Sequence, residues 1–177
     1  MGSKSREIVK ANIEELLNDL IAAYSDEWLA HYQYWLMSMR VRGIDADALR
    51  SVLEEQSKDE LGHARKIADR ILQLGGELVM NPSALAEKAG CGYLEPPVDR
   101  ADVDGVIENV LSAEECAIET YSRLAEKYRN SDVVTHELFE DLLKDEVEDE
   151  ETWERFQSIP RQAKGHRGTH MQKHGMV

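Results

Sequence analysis

Four glutamates occupy positions where the surrounding pattern calls for apolar side chains. Leu16, Leu20, Ala23, Ala30 and Tyr34 recur at three- and four-residue spacing, and Glu27 falls on their stripe. Glu60 and His63 interrupt Leu49, Val52, Ile67 and Ile71, and Glu114 interrupts Val103, Ile107, Val110, Ala117 and Tyr121. Glu146 and Asp149 interrupt Leu138, Leu142, Trp153 and Phe156. An isolated ionised carboxylate in an apolar interior costs more than a domain's net stability, so such groups must be paired, protonated or bound to metal. One histidine cannot neutralise four acids at one level. Cations can, and carboxylate oxygens with imidazole suit iron or manganese better than structural zinc.

Any one of these acids alone reads equally well as part of a solvated helix face. Recurrence separates them from the rest. Glu27-x-x-Ala30-x-x-x-Tyr34 returns as Glu114-x-x-Ala117-x-x-x-Tyr121, and Asp59-Glu60-x-x-His63 returns as Asp145-Glu146-x-x-Asp149. Glu27 and Glu60 are 33 residues apart, Glu114 and Glu146 32. Two similar helical hairpins facing each other would set two metal positions side by side. That is the di-iron bundle arrangement of one Glu from each of two helices and Glu-x-x-His from each of the others.

The elements that must position these residues are four long amphipathic helices. The periodicity predicts them from about Arg6 to Arg40, from about Asp45 to Leu74, from near Asp102 onward, and from after Asn130-Ser131-Asp132 to a stop before Pro160. Short links at Gly43 and Asn130 make antiparallel hairpins. Roughly 27 residues, Gly75 to Ala101, join the two hairpins. Within them Asn81-Pro82 to Gly90 reads as a cap, a short helix and a stop. No segment alternates at period two over strand length, so the fold class is all-α, a four-helix bundle with a long crossover. It spans residues 1–160, and a tail follows over 161–177.

Composition narrows the function classes. The 177 residues carry 35 acids against 21 Lys and Arg, a net charge of −14, which argues against a nucleic-acid-binding surface. Two cysteines cannot build a disulfide-rich scaffold or a four-thiolate metal site. No apolar run approaches bilayer length and no signal peptide opens the chain, so a cytoplasmic protein without membrane contact is expected. The tail holds 4 Lys and Arg, 3 His and no acid. It could touch DNA or dock a partner, but a mobile tail is the favoured reading.

With these motifs the chain resembles the ferritin-like superfamily up to about Ile159, and within it the Dps-like proteins called thioferritins. Gly75-Gly76-Glu77, Asn81-Pro82, Cys91-Gly92-Tyr93 and Ala113-Glu114-Glu115-Cys116-Ala117 carry the narrower likeness. The resemblance implies a hollow homododecamer that oxidises Fe(II), preferably with hydrogen peroxide or else with oxygen, and stores the ferric product against oxidative stress. It implies a bacterioferritin-type dinuclear iron site inside each subunit. Glu27 and Glu114 would be single-helix ligands, Glu60 and Glu146 bridges, and His63 a ring-nitrogen ligand. Asp149 departs from the pattern, which expects histidine there. The resemblance also favours a Cys91–Cys116 pair, as a disulfide or redox couple; on the residues alone the two could be buried small hydrophobes. Tyr34 and Tyr121 would support ligand carboxylates or simply pack. Competing readings are a dimanganese catalase or peroxide reductase on the same bundle, and a structural cage protein with a degenerate metal site.

Overall fold

The computed structural model describes residues 3–43 and 46–159. A short helix α1 (Ser3–Glu7) is followed by α2 (Ile13–Arg40). The single first helix expected from Arg6 is therefore two, and the reason is local. Asn12 Oδ1 accepts from the backbone N–H groups of Glu14 and Glu15 at 3.0 and 3.3 Å, satisfying donors that a helix start leaves without an intrahelical partner. The Lys10 N–H just before it donates to the Ser131 carbonyl at 2.8 Å.

Helix α3 (Ala46–Leu74) ends at Gly75, whose φ of 82° lies in the left-handed region. Glycine takes that conformation without the Cβ clash other residues meet, and it lets the Gly76 N–H close onto the Ile71 carbonyl at 2.9 Å. The expected start at Asp45 lies outside the described residues. The crossover carries a 3-10 turn (Pro82–Ala84) capped by Asn81, then α4 (Leu85–Lys88), which packs on α2. Helix α5 (Val103–Tyr128) is capped by Asp102 onto the Gly105 N–H, and α6 (Val133–Ser158) stops before Pro160. There is no strand among the described residues. The tail over 161–177 also lies outside them.

Helix α2 packs along α3 and α5 along α6, giving two hairpins that face each other. Their apolar interior is split in two. One half gathers Leu16, Leu20, Ile67, Ile71, Tyr121 and Leu142. The other gathers Tyr34, Met37, Leu53, Ile107, Val110 and Trp153. Along the four long helices Glu27, Glu60, Glu114 and Glu146 fall between the halves, so their carboxyl groups form a polar layer across the middle of the bundle. Beyond the first half, Arg70 ties α3 to the start of α6 through Asp132 at 2.6 Å and Thr135 at 2.9 Å, all three buried.

Candidate metal centre

Glu27 on α2, Glu60 and His63 on α3, Glu114 on α5 and Glu146 on α6 are each at most 3% exposed. Regular helices bring them there, because residues three or four apart share a face. His63 is the hub. Its Nδ1 lies 3.6 Å from Glu27 Oε2, 3.4 Å from Glu60 Oε2 and 3.1 Å from Glu146 Oε1. Its Nε2–H donates to Asp145 Oδ2 at 3.2 Å, and the same oxygen accepts from Lys66 at 3.1 Å. A hydrogen bond through Nε2 leaves Nδ1 of the neutral ring with a lone pair, facing three carboxylates.

Ligand-type atoms from Glu27, Glu60, His63 and Glu146 all lie within 4.8 Å of one another. Glu27 Oε2, His63 Nδ1 and Glu146 Oε1 are buried without a hydrogen-bond partner. In their ligating forms, neutral imidazole and carboxylate, these atoms are converging acceptors with no donor between them, the electrostatic signature of a cation site, and the oxygen-rich donor set fits iron.

The protonation tendencies have the same origin. Burial first, then the charge of Glu27, holds the Glu60 carboxyl well above the ordinary carboxylate range. Burial and the charges of Glu146 and Glu60 do the same to Glu114, and Glu27 and Glu146 are raised chiefly by burial. For His63 burial works downward, but Glu146, Glu27 and Glu60 outweigh it and push the imidazole strongly up. Without metal, these shifts favour the protonated imidazole and protonated carboxyls in the layer.

Glu114 stands beyond the group of four, toward α5. The Tyr34 hydroxyl donates to its Oε1 at 2.8 Å across the hairpins. Tyr121 is buried beside it and stacks on Phe139 at 5.7 Å. Asp149 is not brought into the group. It is half-buried and lines an open cleft of about 360 Å³ with Asp59, His63, Lys66, Asp145 and Glu148. Burial raises its carboxyl and Gln56 lowers it. Gln56 is itself held by the Trp153 indole N–H, which donates to its carbonyl oxygen. Cys91 and Cys116 form a disulfide with a Cα–Cα distance of 5.8 Å, tying the crossover to α5 two residues past Glu114.

Sequence reasoning gave no role to Asp145, Gln56, Asp26 or Gln33. Asp145 had a signal, since it matches Asp59 in the repeated pair. The other three act through contacts between elements far apart in sequence.

A bundle of two hairpins with a carboxylate layer across its middle defines a ferritin-like protein. The chain belongs to that family: the ferritin-like domain matches residues 14–160. Among solved structures it is similar to the bacterioferritin-related protein of Bacteroides fragilis, described as a dodecameric thioferritin. The two share 32% identity with a TM-score of 0.83, over 88% of this chain and 93% of that one. The DNA protection during starvation protein of Pyrococcus furiosus is 27% identical over 143 residues, 81% of this chain and 77% of its own. The bacterioferritin of Desulfovibrio desulfuricans is 31% identical over 144 residues, 80% and 72% respectively.

Proposed function

We propose that the chain is an iron-oxidising, iron-storing protein that binds Fe(II) as substrate at this centre and passes its electrons to hydrogen peroxide or oxygen. The supporting observation is the convergence of Glu27 Oε2, His63 Nδ1 and Glu146 Oε1, buried and without hydrogen-bond partners. Glu27, Glu60, His63 and Glu146 would hold one ion. Glu60, Glu114 and Glu146, completed by water or Asp149, would hold a second. Asp145 orients His63, and Tyr34 fixes the near oxygen of Glu114. With peroxide, two Fe(II) give up one electron each, the O–O bond breaks, and two protons complete two waters. The protons that these carboxyls hold without metal must leave as Fe(II) enters, because ligation needs the carboxylate form.

Anaerobic Fe(II) titration followed by a peroxide pulse tests this reading. Two Fe(II) per chain and one peroxide consumed per pair are expected; no tight Fe(II) binding would overturn it. A second reading, a cage protein with a degenerate second metal position, is favoured by the place of Asp149 in the cleft. One Fe(II) per chain would establish it.

A further inference from the structure

On the α2–α5 side of the centre, opposite the cleft, lies a small cavity of about 30 Å³ between the carboxylates and the crossover. That is space for about two water molecules. Its outer wall is the loop at residues 90–94, pinned at three points. Asp26 accepts from the Gly90 and Cys91 N–H groups at 3.0 and 2.8 Å, the disulfide ties Cys91 to α5, and Gln33 Oε1 accepts from the Leu94 N–H at 3.0 Å. A backbone N–H only donates, so the Gln33 atom facing Leu94 must be the amide oxygen, and the NH₂ group is turned away from it. Gln33 lines the cavity, is 2% exposed, and its Nε2 has no hydrogen-bond partner.

A buried amide donor left unpaired is expensive, and native proteins rarely keep one without a use. Glu27, Glu60, Glu114 and Glu146 also line the cavity, and in the carboxylate form that metal ligation requires they only accept. The Tyr34 proton is already committed to Glu114. An occupant must therefore accept a hydrogen bond on the Gln33 side and tolerate or satisfy acceptors on the other. Hydrogen peroxide, like water, has both an oxygen to accept with and O–H groups to donate, so of the two oxidants it is the one that fits. Dioxygen is a poor acceptor and donates nothing.

We infer that the Gln33 Nε2–H holds hydrogen peroxide in this cavity beside the metal centre and so selects peroxide over dioxygen, an inference that rests on the oxidant reading above. In Gln33→Leu the KM for peroxide should rise about tenfold, the loss of one good hydrogen bond, with kcat and the dioxygen-driven rate within about twofold of the parent. Anaerobic Fe(II) affinity should not change. Azide, a small anionic acceptor read by the visible bands of the Co(II)-loaded protein, should bind about tenfold more weakly in the variant. Unchanged azide affinity and peroxide KM would overturn the inference. So would an equal loss with both oxidants, which would make Gln33 only an anchor for the loop. If the parent oxidises Fe(II) with neither oxidant, the proposed function has failed, while the azide titration still decides whether Gln33 is a donor to the cavity.

Discussion

Glu60 is disfavoured as a carboxylate in the metal-free fold and, on the proposed function, would serve both metal positions once they fill. Burial and Glu27 both push its carboxyl up, and it lies 3.4 Å from His63. Glu60→Ala should therefore abolish Fe(II) oxidation, by a hundredfold or more, and keep the helical circular dichroism. The metal-free variant should melt no lower than the parent, because a repulsive buried acid is gone. Unchanged oxidation kinetics in the folded variant would sink the assignment. The same shifts set a pH dependence. Carboxyls raised above their ordinary 4.5 are ionised more readily in the unfolded chain, so the metal-free fold loses stability as pH rises. His63, raised above its ordinary 6.5, acts in the same direction: its contribution is full below that value and is lost as pH climbs toward the folded value. The metal-free melting temperature should thus fall between about pH 5 and 8, and the rise on adding Fe(II) anaerobically should grow. A metal-free melting temperature that climbs across that range would contradict the shifts. Asp149 belongs to the same scale. Its arm is shorter than that of histidine, and it lines the cleft outside the group of four. Asp149→His should tighten the second Fe(II) step in an anaerobic titration and speed oxidation; identical steps in parent and variant would make Asp149 a bystander.

At the scale of elements the disulfide bears on stability most directly. Cys91 and Cys116 are 25 residues apart, and closing a loop of that size removes roughly 3 kcal/mol of unfolded-chain freedom in the chain-entropy model. Cys91→Ser with Cys116→Ser should lower the melting temperature by several degrees, while Asp26 and Gln33 keep the loop near its place. An unchanged melting curve would mean that those two anchors already confine it. The four long helices were legible in the sequence because their stripes run for many turns and because Gly75 and Asp102 mark ends with their own chemistry. The break before Ile13 was not, since Val9 and Ile13 keep a four-residue step and only the Asn12 side chain decides. The acids Glu27, Glu60, Glu114 and Glu146 were legible because each breaks an apolar stripe. Helical spacing placed Asp149 on the same face as Glu146 but could not say how far its short side chain reaches. The pairings Gln33–Leu94 and Trp153–Gln56 depend on how hairpins and crossover stack, and no local pattern encodes that.

At the scale of the whole molecule, the apolar groups left outside matter. On α2, Tyr32, Trp35 and Met39 are 49%, 47% and 62% exposed at three- and four-residue spacing, and Tyr93 of the crossover lies 6.2 Å from Tyr32. A chain carrying −14 charge gains nothing from an apolar stripe in water, and such a patch is a candidate for contact with another chain. The thioferritin of Bacteroides fragilis to which the chain is similar is dodecameric. Twelve chains of 20.1 kDa would make a particle of about 240 kDa, and its summed negative field would draw Fe(II) inward. Sedimentation should find that mass for the parent. Trp35→Glu places a charge in the middle of the stripe, where burial against a neighbour would cost far more than exposure does. It should release smaller species of unchanged helical content, and Fe(II) binding should survive because His63 and its carboxylates lie within one chain. A variant that still sediments as the large particle would remove this stripe from the subunit contacts. One that dissociates and also loses Fe(II) binding would show that the centre needs the assembly to hold its shape.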